Sequence, residues 1–335
     1  MGIERVARGS LPVTLWLVAA LAAQITTEAR SQPAWRPEKA VEIILPTAAG
    51  GANDVMARLI QKILQDLKLV TVPVVVMNKA GGNQTLAAVY LRQHPADPHY
   101  LLYSTSSVFT TQITGLTQQH YTDLAPIALM LVERTVITVR ADSPIRNMRD
   151  LIDRLEADPQ SIAFGMVSRG GSNHLALSQA VKSAGVDPKR LKTVVFKTNV
   201  ESMTGLAGGH LQAVASSATA AFPWVQTGQA RMLAIAAPER QAGALANVPT
   251  LREQGIDVAG VTNWRGIFGS KGLTAAQIAF WEDALARIVA TEDWKKPLDQ
   301  NNLGRHFLRS KDFAKFLETE YIASRAALTD LGFVK

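Results

Sequence analysis

The sequence predicts an α/β protein of two domains, and three observations carry that expectation. Short β-rich runs alternate with amphipathic helical patterns. The alternation falls into two series, one starting at residue 41 and the other at residue 135. A chain of 335 residues with 47% hydrophobic composition is long enough to bury two cores.

The first series opens with VEIIL (41–45), followed by a helix over 53–67, the run VVVM (74–77), a helix over 83–93 and YLLYS (100–104). Within the first helix Met56, Leu59, Ile60, Ile63, Leu64 and Leu67 recur at spacings of three and four, one apolar stripe to lay on a sheet. Arg58, Gln61, Lys62 and Asp66 occupy the other face. The second series runs TVITVRA (135–141), a helix over 148–157, SIAFGMV (161–167), a helix over 173–183, TVVFK (193–197), a helix over 200–206, LQAVAS (211–216) and MLAIAA (232–237). The tail holds GIFG (266–269), a helix over 275–290 and a last amphipathic helix over 311–328, stopped by Gly332.

Ahead of both series, Arg5 and Arg8 precede the apolar run LPVTLWLVAALAAQI, and small residues flank Arg30. This pattern predicts a signal peptide over residues 1–31, cleaved between Ser31 and Gln32. A membrane anchor is the alternative, but the run from Leu11 to Ile25 falls short of the roughly 20 residues a span requires. The absence of cysteine excludes lipid attachment at a cysteine, disulfides and thiol chemistry. Without residues 1–31 the 35 basic residues become 32 and the 28 acidic ones 26, a net charge of +6. That balance favours encounter with anionic solutes. No run of Lys and Arg interleaved with aromatics points to nucleic acid.

The most informative segment is PTAAGGAND (46–54), between the first strand and the first helix. Gly50 and Gly51 allow close approach of backbone to a ligand, and the following helical turn presents free N–H groups at the positive end of its dipole. An ordinary turn capped by Asn53 or Asp54 is the competing reading. The arrangement recurs at AGGNQT (80–85) and at SRGGSNH (168–174). Loops of this kind from two domains, each at the carboxyl end of a strand, face one another where open α/β sheets bind ligands. Ser106 and Ser107, at the end of another strand, add hydroxyl donors. His174 either reaches a ligand or satisfies its own turn. Arg265, in NWRG, lies where the chain is expected to recross between domains; its planar fork matches a carboxylate, with Trp264 expected to pack beside it, and a surface or interdomain salt bridge is the alternative.

Catalytic signatures are weak. Ser168 misses the spacing of a nucleophile elbow by one position, so a hydrolase using Ser168 or Ser172 with His174 is a remote alternative. His94 and His99 lack metal-ligand spacing, His210 is isolated, and no glycine turn ends in Gly-Lys-Ser/Thr. No metal, cofactor or chemical step is expected.

PTAAGGANDVMARLIQ (46–61), NKAGGNQT (78–85), GGSNHLAL (170–177), LAGGHLQAV (206–214), VPTLREQGI (248–256) and NWRG (263–266), taken with the leader, resemble the substrate-binding proteins of tripartite tricarboxylate transporters, the Bug family. The resemblance implies a type II periplasmic-binding fold, the Venus flytrap, with two α/β lobes and a double-crossing hinge. Lobe 1 would hold 33–134 plus 262–335, and lobe 2 would hold 135–261. It implies a periplasmic monomer that takes up a small organic acid without chemistry and delivers it to membrane permease subunits. A sensor docking on a receptor kinase is the alternative. Amides of the first loop and bridging waters would hold the carboxylate, pointing to Thr47, Ala49, Gly50, Gly51 and Asn53. Gly171, Ser172, Asn173, His174 and a loop at Ser217 and Thr219 would close from lobe 2. The chain departs from the family at Thr47, Ala48 and Ala49, where an aromatic and a proline are usual, and at Lys79 and Ala80. The NWRG element is similar to that of citrate-type binders, which directs attention to di- and tricarboxylates.

Overall fold

Val41, Ile43, Ile44 and Leu45 are fully buried, the pattern of a strand covered on both faces, and this strand, β1 (Val41–Leu45), lies inside the first of two sheets. The computed structural model describes residues 1–2, 35–50, 52–81, 85–258 and 262–334. The body of the expected signal segment, Gly51, and residues 82–84 of the second glycine turn lie outside the described residues.

The chain continues through α1 (Ala52–Asp66), β2 (Val74–Asn78), α2 (Thr85–Arg92), β3 (Tyr100–Ser104), α3 (Ser107–Ile113) and β4 (Leu124–Glu133). After Arg134 it builds β5 (Thr135–Arg140), α4 (Met148–Ala157), β6 (Ala163–Met166), α5 (Ser172–Ser183), β7 (Lys192–Val195), α6 (Asn199–Ala207), β8 (Ala213–Ser217), α7 (Ala218–Gln226) and β9 (Ala230–Ile235). It returns with β10 (Asn263–Ser270), α8 (Ala275–Ala290), α9 (Glu292–Gln300), β11 (Leu308–Arg309) and α10 (Ser310–Asp330).

The first sheet has the order β11-β4-β10-β3-β1-β2 and the second β7-β6-β8-β5-β9. Each contains parallel βαβ pairings, β1 with β2 and β3, and β6 with β7 and β8. The strands next to the crossings run antiparallel: β10 against β3 and β4, and β5 against β8 and β9. Apolar clusters cover both faces of each sheet. Met56, Ile60, Ile63 and Leu64 of α1 enter the first core as their spacing requires, whereas Leu67 falls past the helix end and is exposed. Three further contacts join elements of the two sheets. Leu175 packs with Ala327 and Leu328, Lys182 pairs with Asp330 at 2.6 Å, and the Thr219 hydroxyl donates to the Asn301 carbonyl at 2.6 Å.

The crossings are a single residue, Arg134, and the stretch ending at Thr262. Glu320 of α10 lies beneath both: its carboxylate accepts the Thr262 N–H at 2.9 Å and feels the Arg134 charge, yet it is 2% exposed. Burial outweighs those two attractions and pushes its pKa up to about 8. An acid whose folded pKa is raised keeps its proton on folding, so its contribution favours the fold below its ordinary value of 4.5 and is lost as pH rises through about 8. Urea denaturation of Glu320→Gln should therefore give a stability that declines less across that window than the parent's. The difference should approach about 1.4 kcal/mol for each unit of displacement. Parallel pH profiles for the two proteins would refute this role for Glu320.

Candidate functional site

The loops at the carboxyl ends of β3 and β6 and the starts of α1, α5 and α6 surround a cavity of about 490 Å³ between the two sheets. From the first sheet come Asn53, Thr105, Ser106, Ser107, Asn263 and Arg265; from the second come Ser168, Arg169, Gly171, Ser172, Asn173 and Asn199. Seven of the residues singled out from sequence are thus brought together: Asn53, Ser106, Ser107, Gly171, Ser172, Asn173 and Arg265.

Arg265 organises the floor on the side of the first sheet. Its Nε donates to Asn53 Oδ1 at 2.7 Å, Nη1 to Asn263 Oδ1 at 2.6 Å, and Nη2 to Glu133 Oε2 at 3.1 Å. Asn263 also donates to Glu133, at 2.8 Å. The register explains the cluster, because Asn263 faces Glu133 across the β4–β10 ladder and Arg265, two residues on, shares that face. Arg265 does form a salt bridge, but within the first sheet and mostly buried, not on the surface or between domains as the alternative had it. Trp264 corrects the expectation that it packs beside Arg265: strand alternation turns it to the other face, where it is fully buried against Phe109, Phe268 and Phe313.

A second polar chain crosses the side of the second sheet. The Thr135 hydroxyl donates to Asn173 Oδ1 at 2.8 Å, Asn173 Nδ2 donates to Asn199 Oδ1 at 3.3 Å, and Asn199 Nδ2 donates to the Ser217 hydroxyl at 3.4 Å. Asn199 is a cavity residue that the sequence reading passed over, although it follows a strand in the same way as the glycine turns. Ser217 is buried behind it and accepts the Ala220 N–H at 3.4 Å, capping α7. The stretch expected as a loop at Ser217 and Thr219 is in fact a strand end and a helix start, and Thr219 bonds to Asn301 instead of lining the cavity.

The turn at 168–174 needs a glycine at 170 and leaves room for the Ser168 hydroxyl at 171. Gly170 has a φ of +79°, and a Cβ on Gly171 would stand 2.2 Å from the Ser168 hydroxyl. Gly171 caps α5 with no side-chain hydrogen bond, so the first turn of that helix opens toward the cavity uncapped. His174 belongs to the turn: buried, its Nδ1 accepts the Gly170 N–H at 2.9 Å, and burial, with the nearby Arg169 charge, brings its pKa down to about 4. The ring is neutral at physiological pH, and its bond to Gly170 leaves it unconnected to Ser168 or Ser172.

The first glycine loop is arranged differently from the expectation. Thr47, Ala49 and Gly50 are not among the residues that line the cavity. The Gly50 N–H donates at 3.0 Å to Asp54 Oδ2, which also takes Arg58 Nε at 2.9 Å, while Asn78 bridges Asp54 Oδ1 and the Thr47 carbonyl, both at 3.0 Å. Arg58 first, then the Gly50 N–H, hold the Asp54 carboxyl at about 2. An internal carboxylate thus occupies the Gly50 amide.

Two α/β sheets contributing loops to one polar cleft define a two-lobed solute-binding protein of the type II periplasmic class. The chain belongs to the tripartite tricarboxylate transporter receptor family, whose model matches residues 56–333. A Cupriavidus necator relative described as the UPF0065 protein in the gbd 5' region is 25% identical over 300 residues, 89% of each chain. Protein BugT of Bordetella pertussis is 26% identical over 240 residues, 70% of this chain and 72% of its own. Among solved structures, a ligand-free TctC solute-binding protein from Polaromonas has a TM-score of 0.78 at 24% identity, covering 88% of this chain and 99% of its own. An R. palustris protein with adipate gives 0.72 at 20% identity, covering 88% and 98%, and MatC from Rhodopseudomonas palustris with bound malate gives 0.66 at 21%, covering 87% and 99%. The family is one of transporter receptors, not of enzymes, which removes the hydrolase alternative.

Removing one partner of a mostly buried ion pair strands the other charge. The side chains of Arg265 and Glu133 are 12% and 11% exposed. Arg265→Ala should therefore cost the empty protein roughly 3 kcal/mol in chemical denaturation, and adding Glu133→Gln should recover part of the loss. An Arg265→Ala midpoint equal to the parent's would show that the pair is not structural.

Proposed function

We propose that the mature protein captures a small organic carboxylate between two lobes, residues 33–134 with 262–335 and residues 135–261, in the periplasm, and presents it to the membrane subunits of a tripartite tricarboxylate-type transporter. The observation that carries this reading is the cleft. Its walls come from both sheets, it holds two guanidinium groups, and the uncapped first turn of α5 opens onto it. Backbone N–H groups at a helix start and a nearby arginine are the donors a carboxylate requires. The family assignment supports a receptor role, and the adipate and malate in the two R. palustris structures are carboxylates. Among the described residues no helix is long and apolar enough to cross a membrane, and no group of side chains suits a metal ion.

Capture works through differential contact. Each lobe alone offers only part of the donors, so a carboxylate that touches both favours the arrangement with the sheets together. The hydroxyls of Ser106 and Ser172 and the amides of Asn173 and Asn199 belong to opposite walls or their floors.

Calorimetry and thermal shift on the mature protein test this reading. Carboxylates should raise the melting temperature where their neutral amides do not, by mass action worth about 2.7 kcal/mol at a hundredfold excess over Kd. Ser172→Phe, which fills the cleft from a half-buried position, should abolish that shift and leave the empty protein's midpoint within a few degrees of the parent's. Equal shifts from amides and acids would sink the carboxylate reading.

A further inference from the structure

The two arginines of the cleft are not equally free. Every nitrogen of the Arg265 guanidinium has a partner within the protein, and its charge is matched by Glu133 at 3.1 Å. Drawing Arg265 onto a ligand would leave a buried carboxylate uncompensated. Arg169, on the exposed loop after β6, lines the same cavity and has no ion pair or hydrogen bond among the described residues. No acidic side chain among them lines the cavity. The cleft therefore offers one unmatched positive charge.

The rest of the wall is partly apolar. Phe333, in the segment after α10, lines the cavity and packs with the cluster around Leu175 and Leu328. Gly170 packs here too: a Cβ on it would crowd Leu328 at 3.2 Å while standing in ordinary contact with Phe333 at 3.8 Å. Leu116 lines the cavity too and is 60% exposed, so it adds apolar surface to this wall that a ligand could cover. On α3, the Thr111 and Thr114 hydroxyls donate to carbonyls of their own helix at 2.7 and 2.8 Å, so this wall offers little polar capacity from them.

Resting on the receptor reading above, we infer that the preferred ligand is a monocarboxylate with an apolar or aromatic body, its carboxylate paired with Arg169 and its body against Phe333 and Leu116. A second or third carboxylate would find no free cation among the described lining residues, because Arg265 is already neutralised, and could draw only on neutral donors such as the first turn of α5. A single charge on an apolar frame matches the free Arg169 and the apolar patch at Phe333 and Leu116 within an otherwise polar lining.

Isothermal titration of the mature protein with matched pairs, hexanoate against adipate and benzoate against terephthalate, with malate and citrate as further polyanions, tests the inference. The monocarboxylates should bind at least about tenfold tighter, and affinity should rise about fourfold for each methylene from propanoate to hexanoate, the increment expected of buried CH₂ groups. Arg169→Ala should weaken hexanoate about tenfold or more, with Arg169→Lys between the two. Phe333→Ala should flatten the chain-length dependence, and Phe333→Leu should restore part of it. If the dianions and trianions bind tighter, this ligand class is wrong and the carboxylate receptor stands. If no carboxylate of either kind binds, the receptor reading falls with it. An unchanged chain-length series in Phe333→Ala overturns the apolar wall.

Discussion

The arrangement of the cleft depends on the ion pair between Arg265 and Glu133. The two residues sit on neighbouring antiparallel strands, and their remaining donors and acceptors are taken up by Asn53 and Asn263. A lone charge at that depth would be expensive, so each makes the other tolerable, and the planar guanidinium fixes the directions in which its partners point. Asn53 begins the first helix and Asn263 the returning strand, so one side chain ties three segments far apart in sequence. Aromatic packing of Trp264 on the reverse face keeps the same strand from rotating.

The two glycine turns satisfy their amides in different ways. Asp54 fills the first glycine loop with an internal anion, and the Gly50 amide is spent on it. The glycine turn of the second sheet has no such occupant; its one internal acceptor is the neutral His174 ring. Two loops that look alike as sequence thus differ in what their amides hold. The difference turns on an aspartate four residues after Gly50, where the other turn has a histidine four residues after Gly170.

Much of the fold was legible because its strands and helices carry strong periods. The run from Val41 to Leu45 and the helices at 148–157 and 275–290 match their sequence signals. β4 was not legible: it is buried along most of its length, contains Pro126, and pairs through register irregularities that erase alternation. Helices α7 and α9 each carry an internal proline, at Pro223 and Pro297, which masks a helical reading. In the cleft, loop position pointed to the segments that hold Asn53 and Ser172, the family resemblance to those two residues, and residue type to Arg265; all three line the cavity. They were not enough to reveal that Arg265 is neutralised, because Glu133 is 132 residues away and only the strand register brings it near. Phe333 could not be found from a local pattern, since its place is set by tertiary packing.

Glu133 and Thr135 anchor the two polar chains of the cleft, one on each sheet, and they are separated by Arg134 alone. Three consecutive residues span no more than about 7 Å between the outer Cα atoms. The two anchors therefore cannot drift apart, whatever the sheets do, and relative movement at this point is limited to turning about a handful of backbone torsions. The geometry is that of a door frame with a fixed jamb: what can vary is an angle, not a gap. A solute held by both chains is accordingly measured by its reach from that jamb, and ligands of equal charge but unequal length would be distinguished by the angle at which they allow the sheets to rest.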